Sequence, residues 1–175
     1  VRDAVLPQRL PTRRRWFMLS LLLIATIINY IDRVNISIAA PFMAKDLGLD
    51  KIEMGLIFSA FAWTYALALV PAGFIADRFG SRFTYGVSLI SWSTVTVCQG
   101  FATGFASLFG LRLAVGAMEA PAFPANSRAV TVWFPARERG MASSIYVCGQ
   151  YLGTALFTGA LDARGLAWLA LAGTA

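Results

Sequence analysis

Polar and apolar residues do not alternate along this chain; the apolar ones run in long blocks. Met54 to Ala76, Phe83 to Leu111 and Gly140 to Leu161 carry no charge, and each exceeds the roughly 20 residues that a helix needs to span hydrocarbon. An earlier block, Trp16 to Phe42, is interrupted only by Asp32-Arg33. The pattern predicts membrane crossings at 16–42, 54–75, 84–103, 107–130 and 141–161. Gly165 to Ala175, eleven uncharged residues, begins a sixth crossing that is too short to finish, so a longer parent protein is expected. Val1 reads as a truncated start or as an alternative initiation codon taken literally. An open sheet leaves backbone groups unsatisfied in lipid, so the expected fold class is an all-α membrane protein.

Composition agrees, with 58% hydrophobic and 14% charged residues, against about 25% charged in soluble domains. The net charge of +6 does not point to nucleic acid, because the basic residues form no aromatic-interleaved groove. They sort by side instead. Arg2, Arg9, Arg13, Arg14, Arg15, Arg78, Arg82, Arg128, Arg137 and Arg139 fall on one side of the predicted crossings, and Lys45, Lys51 and Arg164 on the other. That ten-to-three asymmetry places the N-terminus in the cytoplasm of a multi-pass inner-membrane protein. The first apolar run is too long for a cleaved signal peptide. Residues 1–15, with Pro7, Pro11 and five arginines, are expected to form a flexible cytoplasmic tail, and 16–175 a helical bundle.

Cys98 and Cys148 lie in apolar segments without metal-ligand spacing and read as small packing residues. The chain has no histidine, so proton handling falls to carboxylates. It also lacks a phosphate-cradling G-x-x-x-x-G-K-[ST] loop or a nucleophile–base pair, which argues against an enzyme and for gradient-driven transport. No metal or cofactor is expected.

Two places carry charge at membrane depth, where it is costly and usually serves an ion or substrate path. One is Asp32-Arg33. The other is Arg112 and Glu119, seven residues apart and therefore on nearly one helix face, about 10 Å apart along the axis, with Gly116 between them. Gly116 leaves room for a ligand or a neighbouring helix. Counting at ~1.5 Å per residue brings Asp32 and Arg112 to similar depth, facing one another, with Glu119 nearer the midplane. The alternative for Arg112 is a side chain snorkelling to the interface. Arg33 suits a substrate carboxylate through two parallel hydrogen bonds; its alternative is a structural pair with Asp32 or another acid. Asn29 and Asn35 are second-rank polar candidates, and Gly149-Gln150-Tyr151-Leu152-Gly153 has helix-packing spacing.

The run Gly73-Phe74-Ile75-Ala76-Asp77-Arg78-Phe79-Gly80-Ser81-Arg82 resembles the loop between helices two and three of the major facilitator superfamily, G-x-x-x-D-R-x-G-x-R. Gly73 there permits close helix approach, Gly80 a tight turn, and Asp77 a cap or an arginine pair. Asn29-Tyr30-Ile31-Asp32-Arg33-Val34-Asn35 further resembles the anion:cation symporter family within it. So do Phe58-Ser59-Ala60-Phe61-Ala62-Trp63, Glu119-Ala120-Pro121-Ala122-Phe123-Pro124 and Trp133-Phe134-Pro135. That family includes proton symporters of glucarate, galactarate and galactonate. The resemblance implies the N-terminal six-helix half, with helix six incomplete, of a twelve-helix fold. It implies Asp32 and Glu119 as protonation sites linked to Arg33 and Arg112, with Tyr30, Tyr65 and Gln150 completing a polar lining. The expected partners are a small organic anion, protons, lipid and the C-terminal half of the same carrier. Two other readings remain open: an exchanger of organic phosphate or another organic anion, and a non-transporting membrane sensor or degenerate half-carrier.

Overall fold

The computed structural model describes residues 12–160. Six helices follow in order: α1 (Thr12–Asp46), α2 (Lys51–Phe79), α3 (Ser81–Gln99), α4 (Phe105–Glu119), α5 (Ala122–Trp133) and α6 (Arg139–Ala160), with no strand among the described residues. Residues 1–11 and the expected sixth crossing lie outside them. α1 begins at Thr12, so Arg13, Arg14 and Arg15 are helical. Hydropathy marks the lipid-facing span, whereas the helical hydrogen-bond ladder continues past it into polar residues.

The connections are short and their residues explain why. Gly48, at φ 64°, turns the chain out of α1. Asp50 then caps α2: its carboxylate accepts from the Lys51 N–H, and Glu53 accepts from the Asp50 N–H at 2.9 Å. A single residue separates α2 from α3. It is Gly80, at φ 81°, a conformation in which a side chain would be strained.

The crossing expected at 107–130 is two helices. Pro121 has no N–H for the Ala117 carbonyl four residues back, so the ladder breaks at Ala120-Pro121, and the Ser88 hydroxyl on α3 donates to the adjacent Met118 carbonyl. Both residues of the break keep helical dihedrals, φ −51° at Ala120 and −66° at Pro121, so α4 and α5 continue in one direction.

α1 and α2 are long and apolar enough to cross a membrane. α3 and α6, with 19 and 22 residues, reach about 28 and 33 Å at ~1.5 Å per residue. α1 packs on α6, α2 on α4, and α3 on both α4 and α5. Glycines set two of these seams. A Cβ at Gly153 would lie 2.7 Å from the Ile27 carbonyl of α1, and one at Gly149 would lie 3.0 Å from that of Leu23. A Cβ at Gly116 would lie 3.1 Å from the Tyr65 amide of α2 and closer still to the Phe61 carbonyl. Gly73 has open space around it, so the close approach expected there is not made. Cys98 and Cys148 are exposed and free; they sit on outer helix faces and do not pack inside.

Two apolar clusters close the bundle at opposite ends. Leu19, Leu22, Ala129, Val130, Phe134, Ala142 and Tyr146 gather where α1 starts and α5 ends. Met54, Ile57 and Leu108 gather with Met43 and Leu47 where α1 ends and α4 starts. α1 and α4–α5 therefore run antiparallel, and Arg33, Arg112 and Glu119 lie between the clusters.

Candidate functional site: a charged cavity between two apolar clusters

A cavity of about 250 Å³ opens between these clusters. α1 supplies Thr26, Asn29, Tyr30 and Arg33, successive turns of one face. Tyr65 of α2, Tyr85 of α3 and Gln150 of α6 add polar groups, and Glu119 and Asn126 come from either side of the α4–α5 break.

At its centre Arg33 holds Glu119. The guanidinium Nε donates to Oε1 at 2.6 Å, and Nη2 lies 2.5 Å from the same oxygen. Glu119 is 3% exposed, so its charge has little water to solvate it and depends on this partner. Three rings surround the guanidinium: Tyr65, Tyr30 and Phe61, with centroids 4.7, 4.9 and 5.0 Å from Cζ. Phe61 and Tyr65 stack on one another one turn apart along α2. The glycine seam at Gly116 brings that turn of α2 against α4 and so builds the aromatic wall. Asn29 also faces Glu119.

Arg112 lies beside this pair. It is 6% exposed, its guanidinium is 5.0 Å from the centroid of Phe61, and its Nε has no hydrogen-bond partner. No carboxylate is within ion-pairing distance of it among the described residues. Burial removes the snorkelling reading, because Arg112 does not reach an interface. The expected facing of Asp32 and Arg112 is not an ion pair either. Successive residues on a helix point about 100° apart, so when Arg33 turns to the cavity its neighbour Asp32 turns toward α3. There it faces the indole of Trp92, which is 1% exposed and whose Nε1 closes no hydrogen bond.

Of the residues expected at the site, the cavity gathers Tyr30, Arg33, Tyr65, Glu119 and Gln150, with Asp32 and Arg112 outside its lining. Asn29 joins it and Asn35 is exposed. Sequence reasoning missed Thr26, Tyr85 and Asn126. A signal was present for two of them: Thr26 precedes Arg33 by seven residues and Asn126 follows Glu119 by seven, the spacing already used to join Arg112 with Glu119.

The signature loop sits at the end of the bundle closed by Leu19, Ala129, Val130 and Phe134. Arg128 of α5 pairs with Asp77, Arg78 lies over the Phe79 ring, and Arg82 is exposed. Nearby, Arg15 pairs with Glu138 at 2.9 Å and Arg139 donates to the carbonyls of Phe134 and Thr131.

A helical bundle with sealed apolar ends, an internal ion pair and a polar cavity is the architecture of a membrane carrier. The chain belongs to the Major Facilitator Superfamily, whose family model matches residues 22–171. It is 48% identical over 148 residues to the D-galactonate transporter of Escherichia coli O6:H1, covering 85% of this chain and 34% of that protein. It is also 48% identical over 152 residues to the probable galactarate/D-glucarate transporter GudP of Escherichia coli K12, covering 83% and 34%. Among solved structures it resembles a bacterial homologue of the human lysosomal transporter Spinster in an inward-facing, unoccupied conformation. That likeness has TM-score 0.77 and 29% identity over 90% of this chain and 36% of that one. The chain thus spans about a third of the length of the curated relatives it matches, in their N-terminal half. The fold is the N-terminal half of a major facilitator bundle.

Proposed function

We propose that this chain is part of a secondary active transporter that moves protons together with a hydroxylated organic anion, a sugar acid such as galactonate, galactarate or glucarate. The carrier sits in the inner membrane with its N-terminus in the cytoplasm, and it releases its substrate chemically unchanged. The observation that supports this most is the Arg33–Glu119 ion pair on the cavity wall. A substrate carboxylate competes with Glu119 for the same guanidinium. Protonating Glu119 removes that competitor's charge and frees the planar donor fork of Arg33. Proton and anion binding are then linked, each favouring the other.

Asp32 acts as the second protonation site, on the α3 side of the same helix. Arg112, buried without an ion-pair partner among the described residues, is the basic group to which a displaced carboxylate turns. Tyr30, Tyr65 and Gln150 line the path of the hydroxyl groups. Rocking of this half against the C-terminal half exposes the cavity to either side in turn, and Asp77, Arg78, Gly80 and Arg82 of the signature loop act at that conformational step.

The test uses the full-length carrier in proteoliposomes under an imposed proton gradient. Wild type accumulates one or more of the three sugar acids when the trans side is alkaline. Asp32→Asn and Glu119→Gln each insert normally and lose gradient-driven accumulation, because a neutral amide keeps the volume but cannot cycle a proton. Wild-type accumulation in both variants rejects the assignment. Exchange of organic phosphate without a proton requirement supports the exchanger instead.

A further inference from the structure

Among the described cavity residues, Asn126 is the one with a fully buried side-chain polar atom left without a hydrogen-bond partner. It is 6% exposed, its Oδ1 is buried without a partner, and it lines the cavity shared by Arg33 and Glu119. Buried amides are nearly always satisfied, so an orphan of this kind calls for a group supplied from outside the fold. Pairing inside the bundle does not provide one. Thr26, its neighbour in the cavity lining, already donates its hydroxyl to the Leu22 carbonyl at 2.8 Å, which leaves only acceptor lone pairs free.

The position of Asn126 says what that group is. α1 and α4–α5 run antiparallel, so Thr26, seven residues before Arg33, and Asn126, seven residues after Glu119, are displaced toward the same end of the bundle. Two turns amount to about 10 Å along the axis. The cavity therefore has two polar levels: a charged one at Arg33–Glu119, and a neutral one at Thr26–Asn126. A two-carbon anion fills the first and leaves the second empty. A six-carbon polyhydroxylated carboxylate, with its anionic end at Arg33, extends toward the second. An amide, which donates and accepts, matches hydroxyl groups that do the same.

We propose that Asn126 is a specificity-determining residue, the distal recognition point at which the hydroxylated end of the sugar acid is held while its carboxylate engages Arg33. The assignment rests on the sugar-acid reading above and adds to it the orientation of the substrate and the residue that selects for chain length.

The experiment measures competition of D-galactonate uptake in the full-length carrier by D-galactonate itself and by D-glycerate, a three-carbon acid with the same anionic end. Asn126→Leu keeps the volume and removes both hydrogen-bonding functions. It is expected to weaken galactonate by about tenfold, the cost of a buried hydrogen bond, and to leave inhibition by glycerate at its wild-type value, whatever that value is. Where the leucine variant fails to insert, Asn126→Thr carries the same comparison with a smaller loss. Unchanged galactonate affinity, or equal losses for both acids, overturns the proposal while the transport reading stands. A wild-type carrier that handles neither galactonate nor another sugar acid overturns both.

Discussion

Arg33 combines attachments that a lysine cannot reproduce: two guanidinium nitrogens on Glu119 Oε1, and a Cζ within 5.0 Å of the ring centroids of Tyr30, Tyr65 and Phe61. Arg33→Lys retains the charge but offers a compact ammonium with no planar fork. Affinity for galactonate in the full-length carrier should fall at least about tenfold, from the loss of the bidentate contact and weaker ring stacking. Calorimetric titration measures this directly, and unchanged affinity would leave Arg33 a purely structural pair. That Arg33 and Glu119 are candidates for one internal site was legible from charge at membrane depth. Their pairing was not, because depth counting gives the height of a residue and not its rotation about the helix. Asp32 and Arg33 share a height, and only the packing of α1 against α2 and α4 decides which of them faces the cavity. Asn126 went unread for a related reason, since an amide in an apolar run has no charge to flag it.

At the scale of the helices, glycine seams decide that rotation. Gly116 faces α2 with no room for a Cβ, whereas Gly110 on the same helix has open space. Gly116→Val should therefore push α2 from α4, disperse the ring wall around Arg33 and lower thermal stability, since overpacking costs about 1–3 kcal/mol. Gly110→Ala should leave stability unchanged or raise it slightly, as helix propensity improves by up to about 1 kcal/mol. Thermal unfolding of both variants in detergent, read by size-exclusion fluorescence, makes the comparison; equal shifts would remove the seam from the argument. Five crossings were legible from the lengths of the apolar blocks, and the described helices cover most of each, with 100–103 falling in the turn after α3 and 161 lying outside the described residues. The break in the fourth was not: Pro121 was visible, but a proline in a membrane helix can bend it, be absorbed or interrupt it, and the outcome depends on whether neighbours serve the backbone carbonyls at the break, as Ser88 does for Met118.

For the whole molecule, the basic residues gather where Arg15 meets Glu138 and Asp77 meets Arg128. The proposed orientation, argued from the positive-inside rule, has this end in the cytoplasm. In a carrier lacking Cys98 and Cys148, a cysteine at position 81 should react with a membrane-impermeant reagent only after the membrane is opened. One at position 49, beside the Gly48 turn, should react from outside. The reverse pattern would invert the orientation. The fold of this half was legible because the signature loop falls between the second and third crossings, where the superfamily carries it. The second wall that the proposed carrier needs was not legible, since this chain matches only 34% of the length of the D-galactonate transporter.

The interruption at Ala120-Pro121 gives the fourth crossing a local weak point in an otherwise continuous set of amide protections. The first N–H groups of a helix have no partner four residues back, and α5 begins at Ala122 and Phe123, which line the cavity, without a side-chain cap. Deuterium should enter there early, while the amides of Ala60 to Leu67 in the unbroken α2 exchange slowly. The acid level at Glu119 and the amide level at Asn126 stand on opposite sides of this opening. They form two separately protected segments of backbone, free to change their relative tilt without unwinding either one, and a single uniform exchange rate along the crossing would show them to be one.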